Sequence, residues 1–342
     1  MTTGTTQTPD SVPSTPARRA WTQALRQAIA AHGSGRWIEA ETAGRKAVEL
    51  ARGLPMPEGG ADLAASLNLL GNVLQGLGRA QDAASCYAEA LDQADEVRAR
   101  VVALANLGSA RREAGEFVVA EEHLVEGLAL ARDEVPDQVE GLLDKLGRLF
   151  QQTERAEEAL RFFVERVERT APPDGAEGDL AKPTDAHLDA LFHLAAAALE
   201  HGDAVQAANW FRDLSDKMTV RGGARSLGRA QALTGLARAH QLAGRHAEAV
   251  ASAREALEVR EAMLGRDHPE LLSARHNLAH VLLAAGKARE AEPLARAVMD
   301  AVAGLPADDG RRTAALEVLV GVLEKTGRLR EAATFKKQLS KS

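Results

Sequence analysis

A single cysteine, a single tyrosine and three tryptophans among 342 residues are a thin supply of reactive or aromatic side chains. With one thiol, Cys86, no disulfide can form within the chain. Its place in a helical stretch beside Tyr87 suits a small buried apolar residue, and a reducing, cytoplasmic setting is expected. No stretch approaches the roughly eighteen consecutive apolar residues of a membrane-spanning helix, so no membrane contact is expected. Basic residues are also short: 42 Lys and Arg against 49 Asp and Glu leave a net charge of −7. Nucleic-acid partners are therefore not expected, because broad binding needs a basic surface that displaces counterions. Runs of alternating β-branched residues are missing, which removes sheet. There is no Gly-x-Ser-x-Gly elbow and no His-Glu-x-x-His pair. The nearest approach to a phosphate loop, "AAGKARE", lacks the first glycine and the hydroxyl. No cofactor and no catalytic centre are expected.

What is abundant is alanine, leucine, arginine and glutamate, a composition that favours helix nearly everywhere. The fold class expected is all-α. The first sixteen residues, "MTTGTTQTPDSVPSTP", carry neither a basic start nor an apolar run, so a disordered tail is expected over 1–16 rather than a secretory signal.

Beyond the tail the chain repeats itself. "LLGNVLQGLGRAQDAASCYAEAL", "NLGSARREAGEFVVAEEHLVEGL" and "GLARAHQLAGRHAEAVASAREAL" align, and so do copies from Lys145, His193, Asn277 and Val318, with a weaker one at 35–50. Turn markers fall at Gly35, Gly78, Gly115, Glu154, Gly202, Gly244, Gly286 and Gly327, spaced by 37 to 48 residues. Five residues after each stands alanine: Ala40, Ala83, Ala120, Ala159, Ala207, Ala249, Ala291 and Ala332. The reading is a helix, a tight turn in which glycine takes the left-handed conformation, and a second helix packed closely on the first through small residues. Gly71, Gly108, Gly147, Ala195, Ala237 and Ala279 are expected to face those alanines.

This skeleton resembles the tetratricopeptide repeat (TPR), and "EALEVREAMLGRDHPELLSARHNLAHVLLAAGKAREAEPL" is similar to the long repeat of kinesin light chains and of bacterial sensor and scaffold arrays. The resemblance implies a right-handed α-solenoid of about eight helix hairpins. The divisions expected are 17–170 and 184–342, with "APPDGAEGDLAKP" (171–183) as a hinge or a loop folded over the groove. The resemblance also implies that the first helix of each hairpin lines a concave face. Position by position, that face would carry Asn68, Asn72 and Gln75, then Asn106, Ser109 and Arg112, then Asp144, Lys145, Arg148 and Gln151, then an apolar patch at Phe192, Ala196 and Leu199, then Thr234, Arg238 and Gln241, then His276, Asn277 and His280, and finally Glu317 and Glu324. Amides can donate and accept along a peptide backbone, and arginines grip carboxylates through paired bonds.

The function implied is a scaffold or adaptor holding a protein or peptide, acidic or ending in a free carboxylate, in that groove. Asn72, Asn106 and Lys145 match part of a chaperone-tail carboxylate clamp, but Asn68 and Gly141 stand where it needs lysines. Two other readings are open: a peptide-responsive regulatory TPR protein, and a metal-dependent enzyme built on His276, His280 and Glu317. Asp267 or His268 is expected to cap the helix that opens near Pro269. The tryptophans are expected to fill helix seams.

Overall fold

The computed structural model describes residues 15–55, 58–173, 175, 178, 182–265 and 268–339. Most of the expected tail, 1–14, lies outside the described residues, as do Asp267 and six positions of the expected linker. Among the described residues there are sixteen α-helices and no strand. In chain order they pair as α1 Pro16–Gly33 with α2 Trp37–Arg52, α3 Glu58–Gly76 with α4 Ala80–Asp92, and α5 Val97–Glu113 with α6 Phe117–Glu134. α7 Val139–Gln152 precedes the Glu154 turn and α8 Ala156–Thr170 follows it. Then come α9 Asp185–His201 with α10 Ala204–Gly222, α11 Leu227–Leu242 with α12 His246–Leu264, α13 Glu270–Ala284 with α14 Ala288–Val302, and α15 Gly310–Lys325 with α16 Leu329–Leu339. The chain divides into two compact units, one ending at Glu154 and one beginning at Arg155.

The turns explain the regularity. All seven marker glycines have φ between +70° and +90°, and the eighth marker, Glu154, has φ +59°. At Gly78 the amide bonds to Gln75 O at 2.8 Å, and the next amide, of Arg79, reaches back to Leu74 O at 2.9 Å. The same pair of bonds recurs at Gly35, Gly115, Gly202, Gly244, Gly286 and Gly327. This is the Schellman closure, which satisfies the last carbonyls of one helix while reversing the chain into the next.

All eight offset alanines are buried, none more than 2% exposed. Gly108 does face Ala120, whose carbonyl oxygen would lie 3.1 Å from an added Cβ, but the tightest approach is to a larger side chain. A Cβ on Gly71 would lie 2.5 Å from the Tyr87 ring, and one on Gly108 would lie 2.5 Å from Leu124 Cγ. Tyr87 and Leu124 stand four residues after Ala83 and Ala120. The small residue of the first helix thus receives the large side chain one turn beyond the alanine. Side chains on adjacent helices interlock ridge into groove, so the small residue is the groove and the large one the ridge. Gly235 on α11 likewise receives a large side chain, Phe211, from α10 of the preceding hairpin.

Within the first unit the core joins Trp21, Leu67, Leu70, Leu74, Tyr87 and Leu107. Trp21 is 8% exposed, and its indole N–H donates to Ser66 Oγ at 2.9 Å. Trp37 covers Gly76 and meets the His32 ring edge-on. In the second unit one cluster gathers around Leu188, Leu191, Phe211 and Leu233, with Trp210 against it. Another runs through Leu271, Leu278, Val298, Leu316 and Leu323. The tryptophans thus fill seams. Cys86 is half-buried, and burial pushes its thiol pKa up. No helix is long and apolar enough to cross a membrane, among the described residues.

Charge pairs tie successive hairpins together in a way the repeat alignment did not bring out. Glu41, the residue after Ala40, accepts from Arg45 on its own helix and from Arg79 beyond the next turn, both at 2.8 Å. Glu292, the residue after Ala291, occupies the equivalent place, bonded to Arg296 at 2.9 Å and to Arg328.

Candidate functional site

The expected groove residues of the first unit are largely engaged with one another. The Tyr87 hydroxyl lies 2.7 Å from both Asn72 Oδ1 and Gln75 Oε1, so its single proton serves one of two waiting acceptors. Gln75 Nε2 donates to Glu113 at 3.0 Å, and Arg112 lies 3.8 Å from the same carboxylate. Arg148 donates to Asp144 at 2.7 Å. Lys145 is half-buried, and desolvation lowers its ammonium pKa, with Asp144 and Glu113 opposing that effect and Arg112 adding to it. Asn68 Oδ1 is buried without a hydrogen-bond partner among the described residues. Asn106 is half-buried beside Leu107. Arg112 and Arg148 are thus met by Glu113 and Asp144, while Lys145 makes no ion pair among the described residues. Glu113 is the residue that the sequence reading passed over. It lies at the last turn of α5, just outside the stretch read as the groove line.

The second unit is different. Phe192 and Leu199 on α9, Thr234 and Arg238 on α11, and Asn277 and His280 on α13 line one cavity of about 610 Å³. Three successive first helices thus contribute to a single trough. Its floor comes from second helices: Phe211 on α10, and Ala253, Ala256 and Arg260 on α12. Alanine at both floor positions leaves the volume open. The Phe192 and Phe211 rings meet edge-to-face at 6.1 Å, giving the wall a rigid aromatic corner. The apolar patch read at Phe192, Ala196 and Leu199 is therefore part of the cavity lining. Gln241 Nε2 and His280 Nδ1 lie 3.3 Å apart across the rim.

Arg260 and Phe211 are among the lining residues that sequence reasoning missed. A signal was present: Ala253, Ala256 and Arg260 follow i, i+3, i+7 spacing, so an arginine interrupts an apolar stripe that resumes at Met263 and Leu264.

His276 is not in this cavity. It lines a second one, of about 690 Å³, with Leu272, Val298, Val302 and Arg311. The expected line of His276, Asn277 and His280 is thus divided between two cavities, because neighbouring residues on a helix point about 100° apart. Burial holds the His276 imidazole pKa below its ordinary value; His280 adds to that effect and Glu317 opposes it. Among the described residues, the donor atoms of His276, His280 and Glu317 do not converge within 4.8 Å as a set. A preformed three-ligand metal site on these residues is therefore not supported. His268 behaves as a capping residue, its Nδ1 accepting from the Glu270 amide at 3.2 Å.

Comparisons with known proteins follow the same line. No curated protein matches the chain. A signal-transduction ATPase (STAND) protein with a tetratricopeptide repeat sensor, from Pyrococcus horikoshii, shares the fold over 97% of this chain and 53% of its own, at a TM-score of 0.66 and 14% identity. The apo form of RapI aligns over 94% of this chain and 96% of its own, with a TM-score of 0.62 and 12% identity. A kinesin light chain-like protein of Podosopora anserina with nearly identical TPR-like repeats aligns over 58% of this chain and 92% of its own, at 0.50 and 23%. At these identities the likeness is one of fold. The family model described as tetratricopeptide repeat matches residues 19–96, 62–133 and 228–303. With more than half its length so matched, and its hairpins closed by left-handed turns over buried alanines, the chain belongs to the tetratricopeptide repeat family.

Proposed function

We propose that the chain is a protein-interaction module whose second unit holds a peptide segment of a partner in the trough between α9, α11 and α13. TPR repeats generally mediate protein–protein interaction and are typically non-enzymatic, so the general role follows from the family. The groove and the kind of partner are our reading. The observation that carries it is the single cavity uniting Phe192, Arg238 and Asn277. It offers an apolar wall, an exposed cation and an exposed amide, the combination that fixes a peptide by side chain, by charge and by backbone. The first-unit face is less suited to an acidic partner, because Glu113 and Asp144 already answer its two arginines.

A photo-crosslinking residue in place of Asn277, with mass identification of what it captures, tests this directly. Arg238→Glu is expected to abolish that capture and Arg148→Glu to weaken it much less. Capture unchanged by Arg238→Glu rejects this groove.

A second reading, a ligand-responsive regulator, draws on the Pyrococcus horikoshii protein, whose repeats are described as a sensor. It calls for a change in solution scattering when the captured peptide is added, and an unchanged profile would count against it.

A further inference from the structure

Arg260 is a cation built into a wall. It belongs to α12, the second helix of its hairpin, and is half-buried beneath the trough. Its Nη1 donates to Thr234 Oγ1 at 2.9 Å and to Ala230 O at 3.3 Å. The Thr234 hydroxyl in turn donates to Ala230 O at 2.8 Å. These bonds fix one edge of the guanidinium to α11. Neutral acceptors orient the group without cancelling its charge. Among the described residues no carboxylate comes within ion-pair distance of it. Burial pushes its pKa down, with Glu270 the one charge opposing, yet an arginine stays protonated at neutral pH.

Of the other buried or half-buried arginines of this unit, Arg166, Arg229, Arg275 and Arg296 are ion-paired, and Arg312 is held by Leu305 O and Gln338 Oε1. Arg166 meets Asp189 at 2.7 Å, and Arg229 meets Glu255. A half-desolvated guanidinium without a counter-ion is costly, and a carboxylate brought to it gains a charge-assisted bond in a low-dielectric setting. Arg238 lines the same cavity, exposed and without an ion pair among the described residues. Glu200, also in the lining, has a partner within the protein. The balance of the trough is two guanidinium groups against one engaged carboxylate, beside the aromatic corner of Phe192 and Phe211.

We infer that Arg260 is a specificity-determining residue of this trough: it receives a carboxylate carried by a partner peptide next to a bulky apolar side chain, which seats against Phe192 and Leu199. The inference rests on the groove reading above and adds to it the chemistry of the ligand. A side chain of Asp or Glu and a free C-terminus supply the same group.

Two random-peptide libraries, one with blocked and one with free C-termini, selected on the full chain, test this. The expected result is enrichment of peptides with a large apolar residue within two positions of a carboxylate. The library that yields them tells which source supplies it. For a selected peptide, Glu→Gln (or amidation of the C-terminus) is expected to weaken binding about 10- to 100-fold to the wild type, the usual range for a hydrogen bond to a charged group. Against Arg260→Gln the same change is expected to have no effect. Because the peptide is altered rather than the protein, the first comparison stands even where Arg260→Gln fails to fold.

Peptides that lose binding with Arg238→Glu or Phe192→Ala but show no preference for a carboxylate overturn the role of Arg260 and leave the groove reading intact. If no peptides are selected, or if those selected ignore Arg238→Glu and Phe192→Ala, the groove reading falls and this inference with it.

Discussion

Glu41 and Arg79 lie 38 residues apart in sequence and 2.8 Å apart in space, joining the first hairpin to the turn of the second. Because Glu292 and Arg328 repeat the arrangement, the pair reads as an inter-repeat clamp. In an array stability is close to a sum of units and nearest-neighbour interfaces, so such a clamp acts on the interface term.

Glu41→Gln therefore loosens the interface between the first and second hairpins. The bond from Arg45, then that from Arg79, holds the Glu41 carboxyl below its ordinary pKa against a desolvation effect of opposite sign. A carboxyl depressed in the folded state contributes stability above its unfolded value, and that contribution is lost as pH falls through the folded value. At neutral pH the substitution is expected to cost about 0.5–1 kcal/mol, the upper part of the range for surface pairs because two arginines share one carboxylate. The difference from wild type is expected to shrink as pH falls below the ordinary carboxyl range and to be lost once pH has passed below the lowered folded value. Urea unfolding followed by circular dichroism across that range checks it; a pH-independent difference would remove the electrostatic account.

Glu154 carries the same burden as seven glycines without their freedom. Its φ of +59° is the left-handed conformation, which costs a residue with a side chain roughly 1–2 kcal/mol. Glycine there gives back roughly 0.5–1 kcal/mol in unfolded-state entropy. Glu154→Gly is thus expected to stabilise the chain by about 0.5–1 kcal/mol. The converse change, Gly115→Ala at φ +80°, is expected to destabilise it by a similar amount. Thermal unfolding of the two variants beside wild type decides, since opposite signs are required.

The comparison between Glu154 and the glycines shows what was legible from sequence. Backbone geometry recurs in every copy, so the turn markers and buried alanines could be read by alignment alone. Asn72, Gln75 and Tyr87 show where that reading stops. The alignment placed the two amides on an open face, but it could not show a buried tyrosine one helix away directing its hydroxyl at both. Arg260 escaped for a related reason. The alignment assigned the groove to first helices, and nothing in it marks a second-helix side chain as reaching through when the intervening floor residues are alanines. Periodicity within α12 held the clue, since an apolar stripe with an arginine inside it has to place a charge somewhere. His276 and Asn277 were read as one line, and the turn of the helix separates them into different cavities.

Gly235 and Phe211 connect the packing rule to the trough. A Cβ on Gly235 would lie 2.4 Å from Phe211 Cε1, far inside contact distance, and Phe211 is 2% exposed. The ring borders the cavity it lines with Phe192. Gly235→Ala is expected to destabilise the chain by about 1–3 kcal/mol through overpacking and to push the ring into the space a ligand side chain would take. Shortening the opposing residue relieves the clash, so Gly235→Ala with Phe211→Leu is expected to regain most of the stability. The pair is coupled by direct contact, and a double-mutant cycle measures that coupling. Thermal unfolding of both single variants and the double gives the cycle. Simple additivity would mean that the glycine is not there to admit the ring, and the wall of the trough would need another explanation.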